Sequence, residues 1–182
     1  MGAFFLCFVD CGERKQCLFL CQYNIYYILL IFGGGKHYIL CMKHTVAISS
    51  DHGGYALKEE VKSRFANVDW VDLGCDSLDS VDYPDFGKKL ADAVSSGEVK
   101  TGILICGTGI GISIEANRNP AVRCGLCTDT TMARLTRQHN DANVLALGAR
   151  ITGGEAAMDI VDVFLNTEFE GGRHQTRIDK LS

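Results

Sequence analysis

From Thr45 onward, short apolar runs alternate with longer segments in which apolar residues recur every three or four positions. The runs are Val46 to Ser50, Val68 to Leu73, Gly102 to Ile105, Val122 to Cys127 and Val144 to Leu147. Between them, Tyr55 to Phe65 sets Leu57, Val61 and Phe65 four apart, as an amphipathic helix requires. A second helix, capped by Asp85 and running through Val94, carries Phe86, Leu90, Ala93 and Val94 on one side. Further helices are expected up to Arg118, from Thr130 to Gln138 and from Gly154 to Leu165. Strands without polar alternation must be covered on both faces, so the pattern predicts repeated βαβ units around a five-stranded parallel sheet. Ligands of such sheets collect at the carboxyl ends of the strands.

A length of 182 residues with 47% hydrophobic content suits one such domain. The net charge of -4 offers no general attraction for nucleic acid, so any basic site has to be local. The first 41 residues differ in composition: Cys7, Cys11, Cys17, Cys21 and Cys41 crowd there among aromatic residues. The apolar run from Cys17 to Phe32, preceded by Arg14 and Lys15, has the look of a signal anchor. Gln22 and Asn24 interrupt it and Gly33-Gly34-Gly35 stops it, short of a span of about 20 apolar residues. Met42 opens directly into the first good strand. The expectation is therefore an extension over 1–41, either upstream translation or unstructured, followed by the main domain over 42–182 with no membrane segment of its own. The cysteines fit reduced thiols in a cytoplasmic protein better than a disulfide framework. Cys124 and Cys127 have zinc-like spacing, but strand alternation sends them to opposite faces, so they read as core thiols.

Reactive side chains gather at the expected strand ends. The first strand leads into Asp51-His52-Gly53-Gly54, and the third into Cys106-Gly107-Thr108-Gly109-Ile110-Gly111. The glycine loop fails the dinucleotide pattern in both registers, because Ile112 and Ile114 stand where the third glycine belongs, and it lacks a P-loop lysine. A tight turn or an anion held by backbone amides remains open. A thiol facing those amides stands where thiolate is stabilised, and the amides with Thr108 could also hold an oxyanion formed beside it. His139, next to Asn140 and Asp141, can be an acid or base near neutral pH or a helix terminator. Arg150 follows the last strand. Arg173 and Arg177, four apart, suit a phosphate or an exposed ion-pairing face. These residues are expected to converge on one edge of the sheet.

Asp51-His-Gly53, Asp82-Tyr-Pro84, Cys106-Gly-Thr-Gly-Ile-Gly-Ile-Ser113, Arg137-Gln-His-Asn-Asp141, Gly148-Ala-Arg150 and Gly171-Gly-Arg-His-Gln175 with Arg177 resemble ribose-5-phosphate isomerase type B, in a group that includes the galactose-6-phosphate isomerase subunits. The likeness runs from Met42 to the end. It implies a Rossmann-like three-layer α/β/α fold and a cofactor-free and metal-free interconversion of ribose 5-phosphate and ribulose 5-phosphate through a 1,2-enediolate, in the non-oxidative pentose phosphate pathway. Carried over by position, Cys106 is the base, and Gly107, Thr108, Gly109, Ile110 and Gly111 hold the enediolate. His139 opens the sugar ring, Asp51 assists, and Asn140 binds substrate. His52, Arg150, Arg173 and Arg177 surround the phosphate. One branch of the family uses a glutamate base a few residues on; here Ile112 stands at that position. The likeness also implies a homodimer, or a dimer of dimers, with active sites shared between subunits.

Overall fold

The computed structural model describes residues 45–181 in full and, before them, the backbone of four strands. The chain divides into two compact units between His44 and Thr45. In the first, β1 (Phe8–Cys11), β2 (Lys15–Gln22), β3 (Ile25–Phe32) and β4 (Lys36–Met42) pair antiparallel in sequence order. The apolar run from Cys17 to Phe32 is thus no single span: it divides between β2 and β3, with Cys17 opposite Leu30. Its aromatic and β-branched content favours strand over helix. The sequence reading gave 1–41 no regular element; the side chains there, including the crowded cysteines, lie outside the described residues. Among the described residues, no helix is long and apolar enough to cross a membrane.

The second unit contains β5 (Thr45–Ser50), α1 (Tyr55–Arg64), β6 (Asp69–Asp72), α2 (Tyr83–Ser95), β7 (Thr101–Cys106), α3 (Ile110–Ala116), β8 (Cys124–Leu126), α4 (Thr130–Asn140), β9 (Val144–Gly148), α5 (Gly154–Asn166) and α6 (Arg173–Ile178). Five parallel strands lie in the order β6-β5-β7-β9-β8. Alternation along the strands divides the core in two. Val46, Ile48, Ile103, Ile105, Leu145 and Leu147 pack with Leu57, Val61, Ile160 and Phe164 from α1 and α5. Ala47, Leu104, Val144 and Ala146 face the other way, onto Leu90 of α2 and Ile112 of α3. Both faces are dry, which is why these strands carry no polar alternation.

Two local details differ from or sharpen the sequence reading. Helix α2 begins at Tyr83 with Asp82 at its cap, three residues before the expected Asp85. Pro84 falls in the first turn, where a missing N–H breaks no helical bond. Cys124 packs on the α2–α3 side and Cys127 on the other. Burial pushes both thiols up to about 12, with Cys127 adding to the effect at Cys124 and Asp129 at Cys127, so both stay neutral.

A buried cation that periodicity alone does not reveal ties α1 to β6. Lys58, 2% exposed, donates to both carboxylate oxygens of Asp72 at 2.9 and 2.7 Å and to the Cys75 carbonyl at 2.9 Å. Lys62 reaches the same carboxylate at 2.6 Å, and the Gly74 N–H donates to it at 3.0 Å. Burial by itself would raise the Asp72 pKa; Lys58, Lys62 and Gly74 outweigh it and hold the group below its ordinary value of 3.8. A depressed carboxylate contributes stability above its unfolded pKa and loses it as pH falls through the folded one. Lys58→Met should therefore cost about 2 kcal/mol in urea unfolding at pH 7. Asp72→Asn should flatten the loss of stability below pH ~4.

Candidate active site

The chain leaves β5 toward β6 on one side and, through α2, returns to β7 on the other. The carboxyl ends of β5 and β7 therefore flank the point where the winding reverses, and a crevice opens there. Ser50 pairs with Ile105, and the next residues of both strands line this crevice. The Gly54 N–H donates to the carbonyl of Asp51 at 3.1 Å and to its Oδ1 at 3.0 Å, so Asp51 is held in the turn with its carboxylate 7% exposed as a residue. The Nδ1 of His52 lies 3.1 Å from the Val81 N–H and 3.2 Å from the Val81 carbonyl, so the ring is tied to the backbone just ahead of α2.

Cys106 ends β7 at 4% exposure, and its Sγ accepts the Gly109 N–H at 3.1 Å. This contact requires the loop to double back, which it does because Gly109 takes φ 77° ahead of α3. The Thr108 hydroxyl accepts the Ile110 N–H at 3.3 Å, bracing the same turn. Arg150 is brought alongside by β9: Ala149 N–H donates to Cys106 O and Arg150 N–H to Gly107 O, each at 2.9 Å. A side-chain carbon at Gly107 would stand 3.4 Å from Arg150 Nε. Tyr83 lies over Gly111 so closely that a carbon there would come within 2.6 Å of the ring. Tyr83 thus walls the loop, a placement signalled in the sequence only by the Asp82-Tyr83-Pro84 motif.

The remaining expected residues stand elsewhere. Helix α4 starts after β8, capped by Asp129, and runs back across the sheet to lead into β9, so His139 and Asn140 lie at the amino edge. From Val144 to Gly148 the strand rises roughly 13 Å. Within one chain, the topology thus sets His139 and Asn140 at the edge opposite Cys106, Asp51, His52 and Arg150, with Arg173 and Arg177 on α6, which packs on α4. The expected convergence on one edge does not hold for a single chain. A helix connecting parallel strands must run against them, so its last turn always faces the opposite edge from the strand ends.

At the amino edge the geometry is equally definite. Asp141 closes α4 at φ 43°, with its carboxylate bound by Arg137 at 2.9 Å and by Arg123 at 3.0 Å. Arg123 also donates to the Asn140 carbonyl at 3.0 Å. Arg173 and Arg177 are on α6, which packs on α4. The His139 ring stacks on that of His174, centroids 4.3 Å apart and planes within 7°. Glu170 Oε2 lies 4.0 Å from His139 Nε2 and 3.6 Å from His174 Nε2. Two histidines and a carboxylate this close have the donor set of a metal site. Rings stacked face to face share no point lying in both planes, however, so one ring would have to turn before both could ligate a single ion. An open groove of about 600 Å³ borders this group, lined by Asn117, Arg123, Asn140 and Gln175 among others. His174 and Glu170 were not singled out from sequence as site residues; the only signal was their place around Gly171-Gly172-Arg173.

Comparison with known proteins converges on one group. A family model described as Ribose/Galactose Isomerase matches residues 46–181. A ribose-5-phosphate isomerase B of Escherichia coli is 45% identical over 139 residues, covering 75% of this chain and 93% of the relative. A putative sugar phosphate isomerase of Bacillus subtilis is 52% identical over 140 residues, covering 75% and 94%. Among solved structures, ribose-5-phosphate isomerase B of Clostridium thermocellum aligns with a TM-score of 0.74 at 53% identity, covering 75% of this chain and 94% of that one. The type B enzyme of Trypanosoma brucei aligns at 0.73 and 43% identity, covering 77% and 97%. A family model that matches residues 46–181, with relatives of this identity and coverage, places the chain in the ribose/galactose isomerase family.

Proposed function

We propose that this chain is an aldose-ketose isomerase that interconverts ribose 5-phosphate and ribulose 5-phosphate through a 1,2-enediolate, with Cys106 as the base. The observation that carries this reading is the Cys106 thiol at the mouth of the switch-point crevice, its sulfur already accepting the Gly109 amide at 3.1 Å. A hydrogen on carbon beside a carbonyl becomes acidic only when the developing oxyanion is stabilised, so base and amides must stand together. Cys106 takes the proton from C2 of the open-chain aldose. The loop from Gly107 to Gly111, with Thr108, holds the enediolate oxygens. Asp51 moves a proton from O2 to O1, and Cys106 returns its own proton to C1, giving the ketose. His139 supplies the proton that opens the ring, and Asn140 holds the sugar. His52, Arg150, Arg173 and Arg177 bind the phosphate, whose remote binding energy orients the reacting end.

Because these residues occupy two edges of one sheet, the complete site needs a second copy of the chain, whose His139, Asn140, Arg173 and Arg177 would face the first copy's Cys106. The exposed Ile110 and Ile114 of α3 and Met132 and Leu135 of α4 flank the three-residue edge strand β8 and would provide an apolar contact for it. The domain reading is that 42–182 carries the activity and 1–41 is an extension outside it. A working thiolate also suits a reducing, cytoplasmic setting.

Three results test these statements. Cys106→Ala and His139→Ala should each lose about a thousandfold or more in ribose 5-phosphate turnover. Unfolded together and refolded as a mixture, they should recover about a quarter of the wild-type rate, because half the dimers then carry one intact site of two. No recovery would mean that each site lies within one chain. Isomerisation in deuterated water with a chelator present should place deuterium in the product; absence of turnover would sink the isomerase reading, and faster turnover of allose or galactose 6-phosphate would redirect it to hexoses. A chain beginning at Met42 should keep kcat/KM within about twofold of the full chain, since the family match starts at residue 46.

A further inference from the structure

His139 and Asn140 sit in the last turn of α4, the part of a helix whose carbonyls find no partner within it. Arg123, the residue just before β8, supplies partners from outside. Its Nε donates to the Asn140 carbonyl at 3.0 Å and to the Asp141 carbonyl at 3.1 Å. Its Nη2 donates to the Asp141 carbonyl at 2.8 Å and to the Asp141 carboxylate at 3.0 Å. A cation here also matches the partial negative charge of the helix end. The Arg123 backbone is held in turn: its N–H donates to Asn143 Oδ1 at 2.8 Å and its carbonyl accepts the Val144 N–H at 3.3 Å. The side chain of one residue at the edge strand thus joins the end of α4 to β8 and to the start of β9. Arg137 also binds the Asp141 carboxylate, but it belongs to α4, and its other contacts are the Ala142 and Thr167 carbonyls.

We infer that Arg123 is a positioning residue for the amino-edge half of the active site: by fixing the Asn140 and Asp141 carbonyls relative to the sheet, it sets where Asn140 and His139 present their side chains. The inference rests on the roles proposed above for those two residues. Asp141 follows them at φ 43°, a conformation that an L residue keeps only when its surroundings hold it there. Removing the guanidinium turns two carbonyls loose at the helix end and lets the last turn open locally while the rest of the core stays folded. A shift of about 1 Å in groups that must meet the sugar costs up to about a hundredfold. An arginine that served stability alone would instead weaken both edges of its chain together.

The experiment measures ribose 5-phosphate turnover in refolded mixtures of full-length variants. Arg123→Ala alone should lose about ten- to a hundredfold in kcat/KM. Mixed with Cys106→Ala it should recover about a quarter of the wild-type rate, because half the dimers carry one site free of both changes. Mixed with His139→Ala it should stay at about 5% or less, because both changes fall in the same half of the site. Arg123→Lys keeps the charge but not the planar fork; it should show the same pattern with a smaller loss, and it replaces Arg123→Ala if that chain does not refold. Unchanged activity of Arg123→Ala, or recovery with both partners, with neither, or with His139→Ala alone, overturns the inference. If Cys106→Ala and His139→Ala fail to restore each other, the shared site falls instead, and a second measurement decides. Arg123→Ala should then cost less than about twofold in a chain already carrying His139→Ala and Asn140→Ala; an equal loss in both backgrounds overturns the positioning role.

Discussion

A parallel sheet buried on both faces imposes a traffic rule on the chain: each strand points to one edge, and each connecting helix must come back to the other. In this protein the rule decides where chemistry can sit. Residues that follow strands, such as Asp51, His52, Cys106 and Arg150, share the carboxyl edge, while residues that end the connecting helix α4, His139 and Asn140, face the amino edge. No side chain is long enough to cancel a separation set by the strands themselves. The division of the candidate site is thus a result of the core, not of its surface residues, and pairing of two copies is the simplest way to close it.

At the carboxyl edge, reactivity depends on backbone more than on side-chain partners. The Cys106 sulfur meets an amide, not a basic residue, because Gly109 adopts a conformation that L residues avoid and so turns its N–H toward the strand end. Gly111 lets Tyr83 approach from α2 and cover the loop. Lys58, by holding the Asp72 carboxylate and the Cys75 carbonyl, anchors the chain just after β6, the segment that leads to His52's partner Val81. These contacts fix the backbone path around Cys106 and His52.

Strand positions were legible because their composition is dictated by burial: Ile103, Leu104 and Ile105 admit few other readings. The loop was legible because glycine alternation beside a cysteine has few structural uses. Helix boundaries were less so, as at α2, where Pro84 permits an earlier start than the Asp85 cap suggests. The edge on which His139 falls is not legible from nearness to a strand in sequence, because α4 returns against the strands before β9 begins. The Glu170–His174 pair was hidden because its meaning lies in a stacking contact across α4 and α6 that no spacing within either segment encodes.

Asp141 carries one consequence further. It is the only non-glycine with positive φ among the described residues, and two arginines from different elements grip its carboxylate while Arg123 also grips its carbonyl. A helix end ordinarily frays, and a side chain mounted there swings with it. Here the last turn of α4 is clamped like a bracket bolted at two points, so the direction in which His139 leaves the helix is set by Asp141 and its two arginines. Under the pairing proposed above, the precision of the shared site would be inherited from the single chain, before any partner arrives.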